Sequence, residues 1–168
     1  MMRSLYIGVP LLFLLAVWQT AAQPYFPIFG ITPYWPVLVA LAWGLVHSPE
    51  EGVAWGLVAG LAMGLFSAGP MGGAAMALMA AVLITSLVQH NLPPNGVVLP
   101  VLLGGVGVYL YEFFHMGLIW LVGYSVPTAV GETILPLAIL HGLLTIPVYW
   151  LARFLWRKLE PLPLAGVD

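Results

Sequence analysis

Six apolar runs, separated by Gly, Pro and charged turns, take up most of this 168-residue chain, and no lysine or arginine lies between positions 4 and 152. A helix needs about 20 predominantly apolar residues to cross the roughly 30 Å hydrocarbon core of a bilayer. The runs extend over about Ser4 to Ala22, Pro33 to His47, Gly52 to Phe66, Gly73 to Gln89, Val97 to Tyr124 and Thr133 to Trp156. None alternates polar and apolar residues as a lipid-exposed barrel strand must, so each is expected to be helical. With 62% hydrophobic residues, 6% charged residues and a mean hydropathy of +1.04, the chain lacks the polar surface to cover a soluble globule. The expected fold class is all-α: one integral membrane domain, residues 1–168, forming a polytopic bundle of six transmembrane helices in the lipid bilayer. Four basic residues suggest no nucleic-acid surface, and the absence of cysteine excludes disulfides and thiolate metal sites.

Orientation follows from Arg3 at one end and Arg153, Arg157 and Lys158 at the other. Basic residues beside a span are retained in the cytoplasm, so both termini are expected there, which demands an even number of spans. HSPEEG and QHNLPPNG then lie inside, and QPYFPIFGITPYWP, SAGPMG and the VPTAVGE turn lie outside. The first run ends in Thr20, Ala21 and Ala22, as a signal peptide would. It is expected to stay as an anchor helix, because its removal would leave five spans and an unexplained basic C-terminus. Tyr25, Phe26, Tyr34 and Trp35 outside, and Tyr149, Trp150 and Trp156 inside, read as interfacial belts.

Gly52, Gly56, Gly60 and Gly64 fall four residues apart within the third run. Residues four apart share a helix face, and in lipid close backbone contact between small residues drives helix association. The row is expected to dock another helix, either a partner's or one of the chain's own. Just before it, Ser48, Pro49 and Glu51 spell a helix entrance with Ser48 as cap, and Glu50 and Glu51 complement the positive helix end.

Glu112 and His115, three residues apart on one face of the longest run, are the sharpest polar anomaly. An ionisable side chain at that depth costs at least about 2.5 kcal/mol, so it is expected to face the bundle interior or water. His141 in the last run is the other candidate for a buried polar pocket. The bland alternative is a packing pair in which Glu112 hydrogen-bonds His115 or Tyr109. Two or three scattered ligands make no recognisable zinc signature, so no metal is expected. No nucleophile has a partnered base, and AGPMGGAAM lacks the lysine of a phosphate-binding loop, so no catalytic site and no cofactor are expected.

The stretch GLVAGLAMGLFSAGPMGGAAMALMAAVLITSLV resembles the MreD rod-shape-determining proteins, whose typical pattern is roughly G-L-x-x-D-x-x-S-G-x-P-L-G-x-H-A. Gly60, Leu61, Ser67, Pro70, Gly72 and Ala75 stand at matching positions, whereas Gly64 replaces the acidic residue and Ala74 the histidine. The resemblance implies a non-enzymatic scaffold of the wall-elongation machinery in the bacterial cytoplasmic (inner) membrane. It further implies binding to the transmembrane anchor of MreC, a single-pass protein, in the company of a RodA-type glycosyltransferase and a penicillin-binding transpeptidase. The family is also similar in fold to the substrate-binding subunits of energy-coupling-factor vitamin transporters, which supplies an alternative function.

Overall fold

The computed structural model describes residues 2–67, 69–70, 72–93, 96, 98–125 and 130–159. Among them are six α-helices: α1 (Met2–Ala21), α2 (Trp35–Val46), α3 (Pro49–Leu65), α4 (Gly73–Asn91), α5 (Val98–Leu121) and α6 (Val130–Leu159). Four of them, α1, α4, α5 and α6, are long and apolar enough to cross a membrane. The 12 residues of α2 and the 17 of α3 rise only about 18 and 25 Å at 1.5 Å per residue. The all-helical membrane architecture is thus present, with two of the six expected spans realised as short helices.

The shortness of α2 is explained by its position. Pro36, Val37, Leu38, Ala40, Leu41, Ala42, Trp43, Gly44 and Leu45 are all buried, and the helix is apolar all round, as befits a helix enclosed by others. It contacts every other helix of the bundle, while α3, α4, α5 and α6 pack in sequence around it and α1 lies against α3. Gly8 of α1 admits the Trp55 ring of α3, with the Cζ2 atom 2.7 Å from where a Cβ would stand. Most of the remaining α1 surface is apolar and exposed, from Tyr6 to Trp18. α1 continues through Pro10, and α6 through Pro136 and Pro147.

The local signals act as expected where they lie outside the bundle. Ser48 caps α3 by accepting the Glu51 backbone N–H at 3.3 Å. The carboxyl of Glu51 does not turn back to the cap; it points inward, is buried, and accepts Ser4 Oγ at 2.7 Å and Trp43 Nε1 at 3.3 Å. Exposed Glu50 is held below the usual carboxylate range by a hydrogen bond from its own backbone N–H and by the Ser48 hydroxyl. Between α1 and α2, Phe29 and Gly30 both adopt positive φ, closing a tight turn in which Ile28 and Ile31 exchange backbone hydrogen bonds. Glu132 could by sequence complement the positive end of the last helix as Glu50 and Glu51 do for α3, and its side chain lies outside the described set.

Candidate functional site

The glycine row is filled by the chain itself. A Cβ on Gly60 would overlap the Ala75 backbone of α4, and one on Gly52 would stand 2.5 Å from the Gly44 Cα of α2 and 2.9 Å from Val82 Cγ1 of α4. Gly56 lies 3.5 Å, by the same measure, from the Leu78 backbone. Only at Gly64, where the nearest neighbour is the Gly72 nitrogen at 4.0 Å, does the row open. Of the two occupants that the spacing allowed, the observed one is the chain's own α2 and α4. The physical reason is sequence proximity: the short connections on either side of α3 return both neighbours to its small-residue face before any partner arrives.

The other side of α4 is different. Between α4 and α5 runs an apolar groove of about 580 Å³ whose floor is made of Ala77, Ala80 and Gly117 and whose rim carries Met76, Phe113 and Trp120. Nothing lies within 4 Å of a Cβ placed on Gly117. The three rim side chains are each more than half exposed. The neighbouring α5 and α6 backbones come closer together, where Gly104 meets Thr145 and Gly105 approaches the Ala138 carbonyl, and a smaller apolar groove of about 450 Å³ runs along that seam between Leu102, Val106, Leu135 and Ile139.

Glu112 and His115 come together, as their spacing suggests, in a cavity of about 380 Å³ bounded by the start of α2, the ends of α3 and α5, and the start of α4. Tyr34, Tyr111, Ser67 and Ser125 complete its polar lining. Glu112 is only 7% exposed and interacts with the Tyr34 hydroxyl. Tyr109, one of the two partners the packing alternative allowed, is half exposed toward the α5–α6 side. A helix advances about 100° per residue, so Tyr109 and His115 lie about 60° to opposite sides of Glu112, and a cavity on the His115 side leaves Tyr109 facing outward.

His141 stands behind the cavity rather than in its wall. Its Nε2 accepts the Tyr34 backbone N–H at 2.7 Å, and its Nδ1–H donates to the Leu137 carbonyl at 2.7 Å. Both ring nitrogens are occupied, which fixes the neutral tautomer and leaves neither to bind an ion. The ring therefore anchors Tyr34, which in turn faces Tyr111 edge-on at 6.2 Å. Among the described residues no group of three or more His, Cys, Asp or Glu side chains is placed to hold a metal ion.

The comparison with known families decides the lineage, since the model of the rod shape-determining protein MreD matches residues 1–159. This chain belongs to the MreD family. No curated protein and no solved structure matches it. The family match extends far beyond the glycine-rich motif and takes in all six helices. One departure from the family pattern gains a location: Ala74 lines the polar cavity, where the acid and the imidazole are supplied by α5.

Tyr34, Tyr111 and Ser4 are the polar residues that sequence reasoning passed over. Tyr34 reads as a belt aromatic because it precedes a span, and nothing local announces that it will fold inward onto His141, 107 positions away. Ser4 likewise finds Glu51 across 47 positions. Long-range pairings of this kind leave no periodic signal.

Proposed function

We propose that this protein is a non-enzymatic scaffold of the bacterial wall-elongation machinery, residing in the cytoplasmic membrane with both termini in the cytoplasm. In this reading it binds the transmembrane helix of an MreC-type single-pass protein and orients it toward the glycosyltransferase and transpeptidase that build the lateral wall. The membership in a rod shape-determining family over residues 1–159 supports the process. The α4–α5 groove supports the mode of action, because there small residues form a floor that the chain's own helices leave uncovered, and it is larger than the apolar groove of about 450 Å³ between α5 and α6. In lipid, where apolar contact alone gives helices no preference for each other, close packing on a small-residue floor between bulky rims is what selects a partner helix.

The docking face is thus moved from the glycine row, occupied within the bundle, to the opposite side of α4. The partner need supply only a ridge of large apolar side chains to lie between Phe113 and Met76. Co-purification of the tagged protein from membranes of its own host tests the reading. Recovery of a single-pass protein with a periplasmic coiled coil is the expected result. Recovery of ATPase-type subunits with a vitamin-sized ligand instead would replace the scaffold with a transporter component.

A further inference from the structure

We propose that the cavity between Tyr34, Tyr111 and Glu112 is a binding site for a small organic ammonium ion. Its volume of about 380 Å³ falls within the range of small-molecule sites, about 300 to 1,000 Å³. The carboxyl of Glu112 is nine-tenths buried in its wall. No lysine or arginine occurs between positions 4 and 152, so no basic side chain of these spans neutralises it. The titratable groups facing it are His115, one turn along the same helix, and the phenols of Tyr34 and Tyr111.

The aromatic groups select the charge type. Tyr34 and Tyr111 meet edge to face at 6.2 Å, and Tyr111 stacks on His115 at 5.4 Å. These aromatic rings and the Glu112 carboxyl line one cavity, and aromatic rings beside an acid are the combination that recognises alkylammonium and quaternary ammonium groups. An anionic ligand would meet the Glu112 carboxyl with no cation to receive it. A bare divalent metal ion would find one carboxylate and one imidazole, too few ligands for a site. Met63, Met116 and Ile119 form an apolar wall suited to the hydrocarbon part of an amine. The site is also rigid where it matters, since the backbone of Tyr34 is tied to His141. It stands apart from the scaffold reading, because every lining group comes from this chain.

The test uses the full chain purified in detergent and titrated calorimetrically with benzylammonium, with benzoate and benzyl alcohol as isosteres of other charge. Saturable binding of benzylammonium alone is expected, weakened at least tenfold in Glu112→Gln. Met116→Trp, which fills the apolar wall from a partly exposed position, is expected to weaken it as much. The second variant carries the test should the first fail to fold. Equal binding of benzoate, unchanged benzylammonium affinity in a folded variant, or no saturable binding at all would overturn the proposal.

Discussion

The two faces of α4 are both built from small residues, yet one is closed and the other open. Toward α3, Ala74 and Ala75 lie so close to Gly60 that no side chain fits between the backbones. Toward α5, Ala77 and Ala80 border a groove in which a Cβ on Gly117 would meet nothing within 4 Å. The difference teaches that a glycine row tells how near two helices come, without telling whose helices they are. Where chain connections already bring a neighbour to the row, the row is structural. The α4–α5 groove is a surface that the connections leave bare, and its glycine stands alone and without period in the sequence.

The same contrast holds for Glu51 and Glu112, the two buried glutamates among the described residues. Glu51 is enclosed by Ser4, Trp43 and His47, with Trp43 stacked on Trp55 at 4.3 Å. Glu112 faces a cavity. One carboxyl is closed in by its donors, and the other meets the Tyr34 hydroxyl and an open space.

The largest expected effect comes from forcing the closed seam. Gly60→Leu must separate α3 from α4 and should cost about 3 kcal/mol, read as a lowered thermal midpoint and loss of monodisperse protein. A folded, wild-type-like Gly60→Leu would erase the contrast between the two faces. Next in size is His141→Phe, which strips the acceptor from the Tyr34 N–H and should cost about 2 kcal/mol. Its distinguishing signature is a loosened cavity end with unaltered packing around Trp43, measurable by hydrogen exchange.

Gly117→Leu should do the reverse of Gly60→Leu. The added side chain enters open space, so stability stays level or rises by up to about 1 kcal/mol from better helix propensity. Recovery of the partner helix is expected to fall at least tenfold in the same preparation. Retained recovery would separate the groove from docking.

The smallest effect belongs to Ser4→Ala, about 1 kcal/mol, because Glu51 keeps other donors. Burial pushes the Glu51 carboxyl up, but its hydrogen bonds, with His47 nearby, outweigh this and hold it below the usual carboxylate range. Its contribution is therefore complete above the ordinary carboxylate range and is lost as pH falls through the lower folded value. Thermal midpoints followed from neutral pH into acid should show wild type losing more stability than Ser4→Ala.

Much of this architecture is legible in the sequence. The apolar runs give the helices, Ser48 gives the entrance to α3, and the spacing of Glu112 and His115 places both in one cavity. Two things are hidden for a physical reason. Span length does not reveal that α2 is enclosed, since central and lipid-facing helices are equally apolar in a membrane. Likewise, the partners of Glu51 and His141 are fixed by tertiary packing, and their distance along the chain leaves no local pattern.

The central claim, a partner helix seated between α4 and α5, is tested most directly by site-specific photocrosslinking in host membranes. A photoreactive residue is placed in turn at Gly117 in the groove, at Tyr109 on the α5–α6 side and at Leu61 on the exposed side of α3. The account predicts a crosslink to an MreC-type single-pass protein from position 117 and none from 109 or 61. A crosslink confined to position 61 or 109, or the same yield from all three, would contradict it.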